Sequence, residues 1–288
     1  MKKNFKPFLF FQKKLKYWAK NKNILFGSLF LTILFLAVYL IPFTPLYKNP
    51  DASSHYKRLQ SISLKHLMGT DSTGHDLFNR MLEGTKKSLT IGFCSIMMAS
   101  IIGTLLGIIS GYFKNIFDNI INFICDILVV FPDVILAILI MFFLKDNKKL
   151  SLIIALSISN APTFIRIIRA NTMKIRQKGF IKASKALGSN EFCIIFKHVL
   201  PHLWSIIITR ITIGMATVIL TISGLSFVGL GLDPTIPEWG NILNASRSDI
   251  RFYPHLFFGP FIIILLTSLS FNLIGKGLIQ IFNPKDAN

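Results

Sequence analysis

Few side chains in this sequence could do chemistry, and three that could, Asp126, Asp133 and Arg210, sit inside long apolar runs. A charge at bilayer depth is costly unless it faces water or a partner, so such residues mark a pathway wall or a helix contact. Asp126 and Asp133 are seven apart, which on one helix gives them a common face, with Pro132 between them as a bend. One use of this set is a proton relay or cation site. The other, favoured because a proton-driven carrier has a denser polar chain, is hydrogen bonding between helices with Arg210 as counter-charge. Other chemistry is missing. The sequence has no GxxxxGK[ST] loop to cradle nucleotide phosphates, no HExxH, no GxSxG elbow and no plausible Ser/His/Asp constellation. No catalytic, cofactor-binding or metal site is therefore assigned, and energy must come from elsewhere. Cys94, Cys125 and Cys193 show neither CxxC nor Cys/His ligand spacing and read as buried small residues.

A different kind of site is suggested by the polar interlude FIKASKALGSNEFCIIFKHVLPH, residues 180–202. Small residues lead to Gly188, Ser189 and Asn190 offer a fresh helix start, and Pro201 closes the second half, so the segment reads as helix, sharp turn, helix. Phe192, Ile195, Phe196 and Val199 recur at helical spacing and predict one greasy face, with Lys197 and His198 off it. Such a piece can lie on a membrane surface and offer its turn to a partner.

The elements that position these residues follow from composition. Of 288 residues 52% are hydrophobic and the mean hydropathy is +0.56, which predicts an all-α integral membrane protein. The formal charge of +19 does not indicate nucleic acid, because the lysines lie between apolar runs rather than on a polar face. About six stretches are long enough to span: 23–43, 88–111, 116–144, 150–168, 203–227 and 256–279. The first lacks a cleavage site and is expected to stay as an anchor. Loop charge orients the chain. Eight basic residues against Glu191 in 166–197, together with the lysine-rich head, place both ends and that segment in the cytoplasm. The loop 44–87 carries seven Lys or Arg of its own, four of them offset by Asp51, Asp71, Asp76 and Glu83. The expected organisation is a basic cytoplasmic N-terminus 1–22, a first span 23–43, an external loop 44–87, a five-helix core 88–284 containing the cytoplasmic loop 171–202, and a tail 285–288. Pro234, Pro237, Trp239 and Gly240 predict a turn-rich outer lid over 229–255. Gly103, Gly107 and Gly111, at four-residue steps, predict a tight contact with a neighbouring helix.

Three separated stretches then match one family. The interlude resembles the EAA loop of ABC-importer permeases through Phe180, Ala183, Gly188, Leu200 and Pro201, with Arg166 and Arg169 upstream. GTDSTGHDLFNRMLEGTKKSL, residues 69–89, looks like the outer signature of the dipeptide/oligopeptide/nickel branch, carried by Gly69, Thr70, Asp71, Gly74, Asp76, Arg80, Gly84 and Ser88. LSFVGLGLDPTIPEWGNIL, residues 225–243, is similar to that branch's helix end and lid, through Leu225, Ser226, Phe227, Gly229, Gly231, Trp239 and Gly240. FNLIGKGL, residues 271–278, echoes its ending, and the whole match runs from about Gly69 to Pro284. The chain departs from the pattern at Lys182 for Glu, Ser184 for the second Ala, His75 for Arg and Lys276 for Asp.

The resemblance implies an ABC type I importer permease fold in the bacterial cytoplasmic (inner) membrane, of the second-permease type. It implies three kinds of partner: a second permease, two ATPase subunits or domains holding ATP and Mg, and an external solute-binding protein. Phe180, Lys182, Ala183, Ser184, Ala186, Leu187, Gly188, Leu200 and Pro201 would form the ATPase-coupling loop. Peptides are the expected cargo, with nickel or another small solute as the alternative. A proton-driven carrier and a non-transporting membrane scaffold are the readings from other classes.

Overall fold

Apolar length and helix punctuation build the molecule. The computed structural model describes residues 21–47, 49–50, 58–144 and 147–282; most of the basic head, Asp51 and the tail 285–288 lie outside the described residues. Helix α1 (Lys22–Leu40) opens on Asn21, whose side chain accepts the amides of Asn23 and Ile24, and closes in a 3-10 turn (Ile41–Phe43). Helix α2 (Leu77–Phe113) is capped by Asp76, which accepts the Asn79 amide. Helices α3 (Ile116–Val130) and α4 (Asp133–Phe143) follow, then α5 (Lys148–Arg176) and the short α6 (Gly179–Ala186). A four-residue α7 (Glu191–Ile194) runs through a π turn (Ile195–Val199) into α8 (Leu200–Phe227). The lid holds α9 (Trp239–Ala245), and α10 (Pro254–Phe282) ends the described chain.

Among the described residues five helical stretches are long and apolar enough to cross a membrane, or six when α3 and α4 are taken as one broken span. Among the described residues no strand forms. The bundle is knit chiefly by α2 against α5, α8 against α10, and α1 against α10. The α2–α5 contact is the one the glycine steps predict. A Cβ at Gly103 would lie 2.3 Å from Phe164 Cβ, one at Gly107 2.8 Å from Ile168 Cβ, and one at Gly111 2.6 Å from the Arg169 carbonyl oxygen. Only hydrogen fits at those positions, so the backbones meet directly. One core, including Leu77, Ile96, Phe164, Ile219 and Trp239, fills the bundle. A second, around Ile108, Tyr112, Ile168, Ile181, Ile194 and Val199, sits where α6 and α7 pack beneath it.

The structure corrects several expectations. The stretch 116–144 is not one helix bent at Pro132 but two helices at 98°. Phe131 is extended, with φ −86° and ψ 134°, as a residue before proline prefers, and α4 starts afresh. Asp126 and Asp133 consequently share no face. Pro201 does not close a helix; it lies in the first turn of α8, where a proline needs no amide partner. The greasy face is split as well. Ile194, Ile195 and Val199 are buried, whereas Phe192 and Phe196 are exposed, because the π turn shifts the register between them. Cys125 is buried, but Cys94 is exposed and Cys193 partly so.

Candidate functional site

The segment 179–200 is a sharp turn built from two helix ends. Helix α6 is held from behind by Ile181, 2% exposed, in the lower core. It ends at Gly188, whose φ of +77° is the left-handed conformation that glycine adopts freely. The Gly188 amide donates to the Lys185 carbonyl and the Ser189 amide to that of Ser184, the paired bonds of a Schellman stop. Ser184 Oγ also donates to Ser189 Oγ at 3.1 Å, and Asn190 accepts the Phe192 amide to start α7. The chain thus reverses within Leu187–Asn190. Leu187 is left 86% exposed at the tip.

The second helix is anchored by charge. Glu191 accepts from the Tyr112 hydroxyl and pairs with Lys185 at 2.6 Å, tying both sides of the turn to the end of α2. Lys182, Ala183 and Ala186 face outward, and Ser184 is half-buried. Phe180 stacks on His202, ring centroids 5.1 Å apart, and Leu200 and Pro201 lie where π turn passes into α8. An exposed apolar tip and edge (Leu187, Phe192, Phe196) is therefore framed by Lys182, Lys185 and Lys197.

On the opposite side of the bundle the two outer motifs meet. Gly69 and Gly74 both take positive φ. Thr70 Oγ1 accepts the Gln60 amide, and Asp71 accepts the amides of Thr73 and His75 as well as the Thr73 hydroxyl. Arg80 lies 3.6 Å from Asp71 and bonds His75 Nδ1 at 2.9 Å, so the histidine that replaces the family arginine stays within the network. Asp76 accepts from His66 Nδ1 at 2.8 Å. From there α2 carries Gly84 and Ser88 to the lid. A Cβ at Gly84 would lie 3.2 Å from Trp239, which is fully buried, and Ser88 Oγ donates to Glu238 at 2.9 Å. Helix α8 stops below in a second Schellman turn: Leu230 and Gly229 donate to Leu225 and Ser226, with Gly229 at φ +84°. Gly231 and Gly240 close on Ser226, and Gly240 also on Ser223. Phe227, partly buried, meets Phe257 of α10 edge-on, ring centroids 6.3 Å apart.

Glu238 was not picked out from the sequence. It is 0% exposed, caps α9 through the amides of Gly240 and Asn241, and has its carboxyl pushed above the usual carboxylate range by burial. Its position just ahead of Trp239-Gly240, at the start of a short helix, is a capping signal that could have flagged it.

The intramembrane charges are arranged differently from the expectation. Arg210 is not the counter-charge of Asp126; Arg166 is, at 2.7 Å, because α3 lies across α5 rather than α8. Arg169 grips Asp118 with two nitrogens, Nε to Oδ1 at 2.6 Å and Nη2 to Oδ2 at 2.8 Å, a pair not foreseen. Asp133 stands exposed in the first turn of α4. Beside it, α4, α8 and α10 border an open cavity of about 530 Å³, lined by Val134, Ile138, Thr217, Thr221, Gly224 and Asn272 among others.

The sequence that folds into this bundle has known relatives. A family model described as binding-protein-dependent transport system inner membrane component matches residues 103–286. The chain belongs to that family. It is a permease subunit of an ABC importer, a multi-pass inner-membrane protein. Among its relatives are the glutathione transport system permease proteins GsiD of Pectobacterium atrosepticum and Escherichia coli O157:H7. They are 38% and 37% identical over 264 residues, covering 91% of this chain and 85% and 84% of theirs. The protein of that name from Salmonella typhimurium is 37% identical over 274 residues, 94% of this chain and 90% of its own. The match places the permease in the dipeptide/oligopeptide branch, and its all-helical core is the type I importer fold.

Proposed function

We propose that this permease is one of a pair of membrane subunits of a peptide importer, with glutathione and other short peptides as cargo. A second permease faces the wall formed by α4, α8 and α10, and the route for cargo runs between the two. Two ATPase subunits, which hold the ATP and Mg, dock on the turn at Gly188, and an external solute-binding protein delivers cargo to the outer side. Support for the docking role comes chiefly from one observation: a Schellman-stopped turn with Leu187 86% exposed, on a backbone pinned by Ile181 and Glu191. A surface so apolar at its tip is kept when a partner covers it. Support for the wall comes from Thr217 and Thr221, polar side chains on an exposed face of α8 beside the cavity.

Nucleotide-driven closure of the ATPases then moves α6 and the α7–α8 rod as a unit, biasing an inward-open state toward an outward-open one. The permease itself does no bond chemistry. Lys182, where the family pattern has an acid, favours an ATPase whose groove is more acidic than usual. The test is uptake of labelled glutathione, dipeptides and oligopeptides by a deletion strain with and without the restored gene. Uptake that requires the gene and stops on ATP depletion is the expected result. Uptake that survives ATP depletion and collapses with the pH gradient overturns it in favour of a proton-driven carrier.

A further inference from the structure

Charges in the membrane part of this permease are neutralised in pairs, Asp118 with Arg169 and Asp126 with Arg166. Among the described residues Arg210 has no such partner. Its guanidinium lies 5.6 Å from the centroid of the Phe164 ring, its Nε is buried without a hydrogen-bond partner, and among the described residues no acid lies within ion-pairing distance. Asp133, in the first turn of α4, is exposed and likewise in no ion pair among the described residues. A partly buried guanidinium left this way is expensive in a low-dielectric setting unless something completes it.

The location suggests what completes it. Arg210, Thr217, Thr221 and Gly224 follow at steps of seven, four and three residues and so share one face of α8. The last three line the 530 Å³ cavity, which puts Arg210 on the same face about 10 Å further toward the cytoplasmic end. Asp133 adjoins the cavity from α4, one residue before Val134 in its lining. The cation thus lies along α8 below the cavity and the acid next to it along α4, both just outside the residues that line it.

We propose that Arg210 is a transient binding station for the free carboxylate of the transported substrate. The planar fork of a guanidinium matches a carboxylate with two parallel hydrogen bonds, and Phe164 holds its plane from one side. Asp133, near but out of contact, keeps the anion from being held too tightly, which a passage site requires. The inference rests on the α4–α8–α10 face being the wall of the route and adds the class of group that this wall recognises.

The experiment uses the whole importer in liposomes, with trialanine and its C-terminal amide as labelled cargo, each variant scored as a ratio to wild type so that selection by the binding protein cancels. Arg210→Gln is expected to lower uptake of the free acid about tenfold or more while changing that of the amide less than twofold. Arg210→Lys should fall in between, and ATP hydrolysis stimulated by loaded binding protein should persist in both. Equal loss for acid and amide overturns the proposal and assigns Arg210 to a fixed pair with the second permease; no loss for either also overturns it. A blocking variant, Thr221→Trp, tests the wall separately: unchanged uptake of both cargoes there removes the route from this face whatever Arg210 does.

Discussion

Ser88 donates a hydrogen bond to Glu238 across 2.9 Å, in a place that water does not reach and between residues 150 apart in the chain. One bond thereby joins the outer motif on α2 to the lid. Replacing Glu238 by Ala leaves Ser88 and the amides of Gly240 and Asn241 without an acceptor, and should cost about 1–3 kcal/mol. Thermal unfolding of the detergent-solubilised permease measures it.

The same carboxyl gives a pH signature. Burial raises its folded pKa above the unfolded value, so the folded state binds the proton more tightly. Its contribution is fully present below the ordinary glutamate range and is lost as pH rises through the raised folded pKa. The difference in unfolding temperature between wild type and Glu238→Gln should accordingly shift in favour of wild type on acidification. A difference that stays flat with pH contradicts this account.

Tight contact between α2 and α5 makes its own prediction. Gly103→Val puts two methyl groups where even a Cβ would lie 2.3 Å from Phe164 Cβ, and overpacking of this kind costs about 1–3 kcal/mol. The amount of folded permease recovered from membranes should fall. Gly224→Ala, where a Cβ meets nothing within 4 Å, should leave it unchanged.

At the cytoplasmic turn, Gly188→Ala meets no neighbour and is strained only by its φ of +77°, at about 1–2 kcal/mol. Gly188→Arg adds a long cation at the tip. Membrane insertion and assembly should persist for both, while Gly188→Arg uncouples ATP hydrolysis from uptake. Wild-type uptake by that variant, normally expressed and assembled, contradicts the docking role.

Lys182 offers a charge test. It is exposed and makes no ion pair among the described residues, so Lys182→Glu should leave folding within about 0.5 kcal/mol of wild type. Association with the native ATPase should weaken, and the loss should shrink at high salt. Tighter association would contradict an acidic groove.

What could be read from the residues was whatever rests on local signals. The spans follow from apolar length, the α2–α5 contact from Gly103, Gly107 and Gly111, and the sharp turn from Gly188 between two helical patterns. What could not be read depends on partners brought together from afar. That Asp126 chooses Arg166 over Arg210 follows from the 98° break at Pro132, whose angle no periodicity encodes. The π turn at Ile195–Val199 has no compositional mark, so the split of the apolar face into buried Ile195 and Val199 and exposed Phe192 and Phe196 is not legible in the spacing. Glu238 counts as a loop acid until Ser88 is seen opposite it.

The unbroken rod from Glu191 to Phe227 separates two glycine stops, Gly188 and Gly229, by 41 residues. Each inserted or deleted residue would turn one end against the other by about 100°, and one falling between Arg210 and Thr217 would swing them off their common face. The permease should therefore accept substitutions along α8 far more readily than any change in its count. Among homologues the spacing between these two glycines is expected to vary less than the residues it contains.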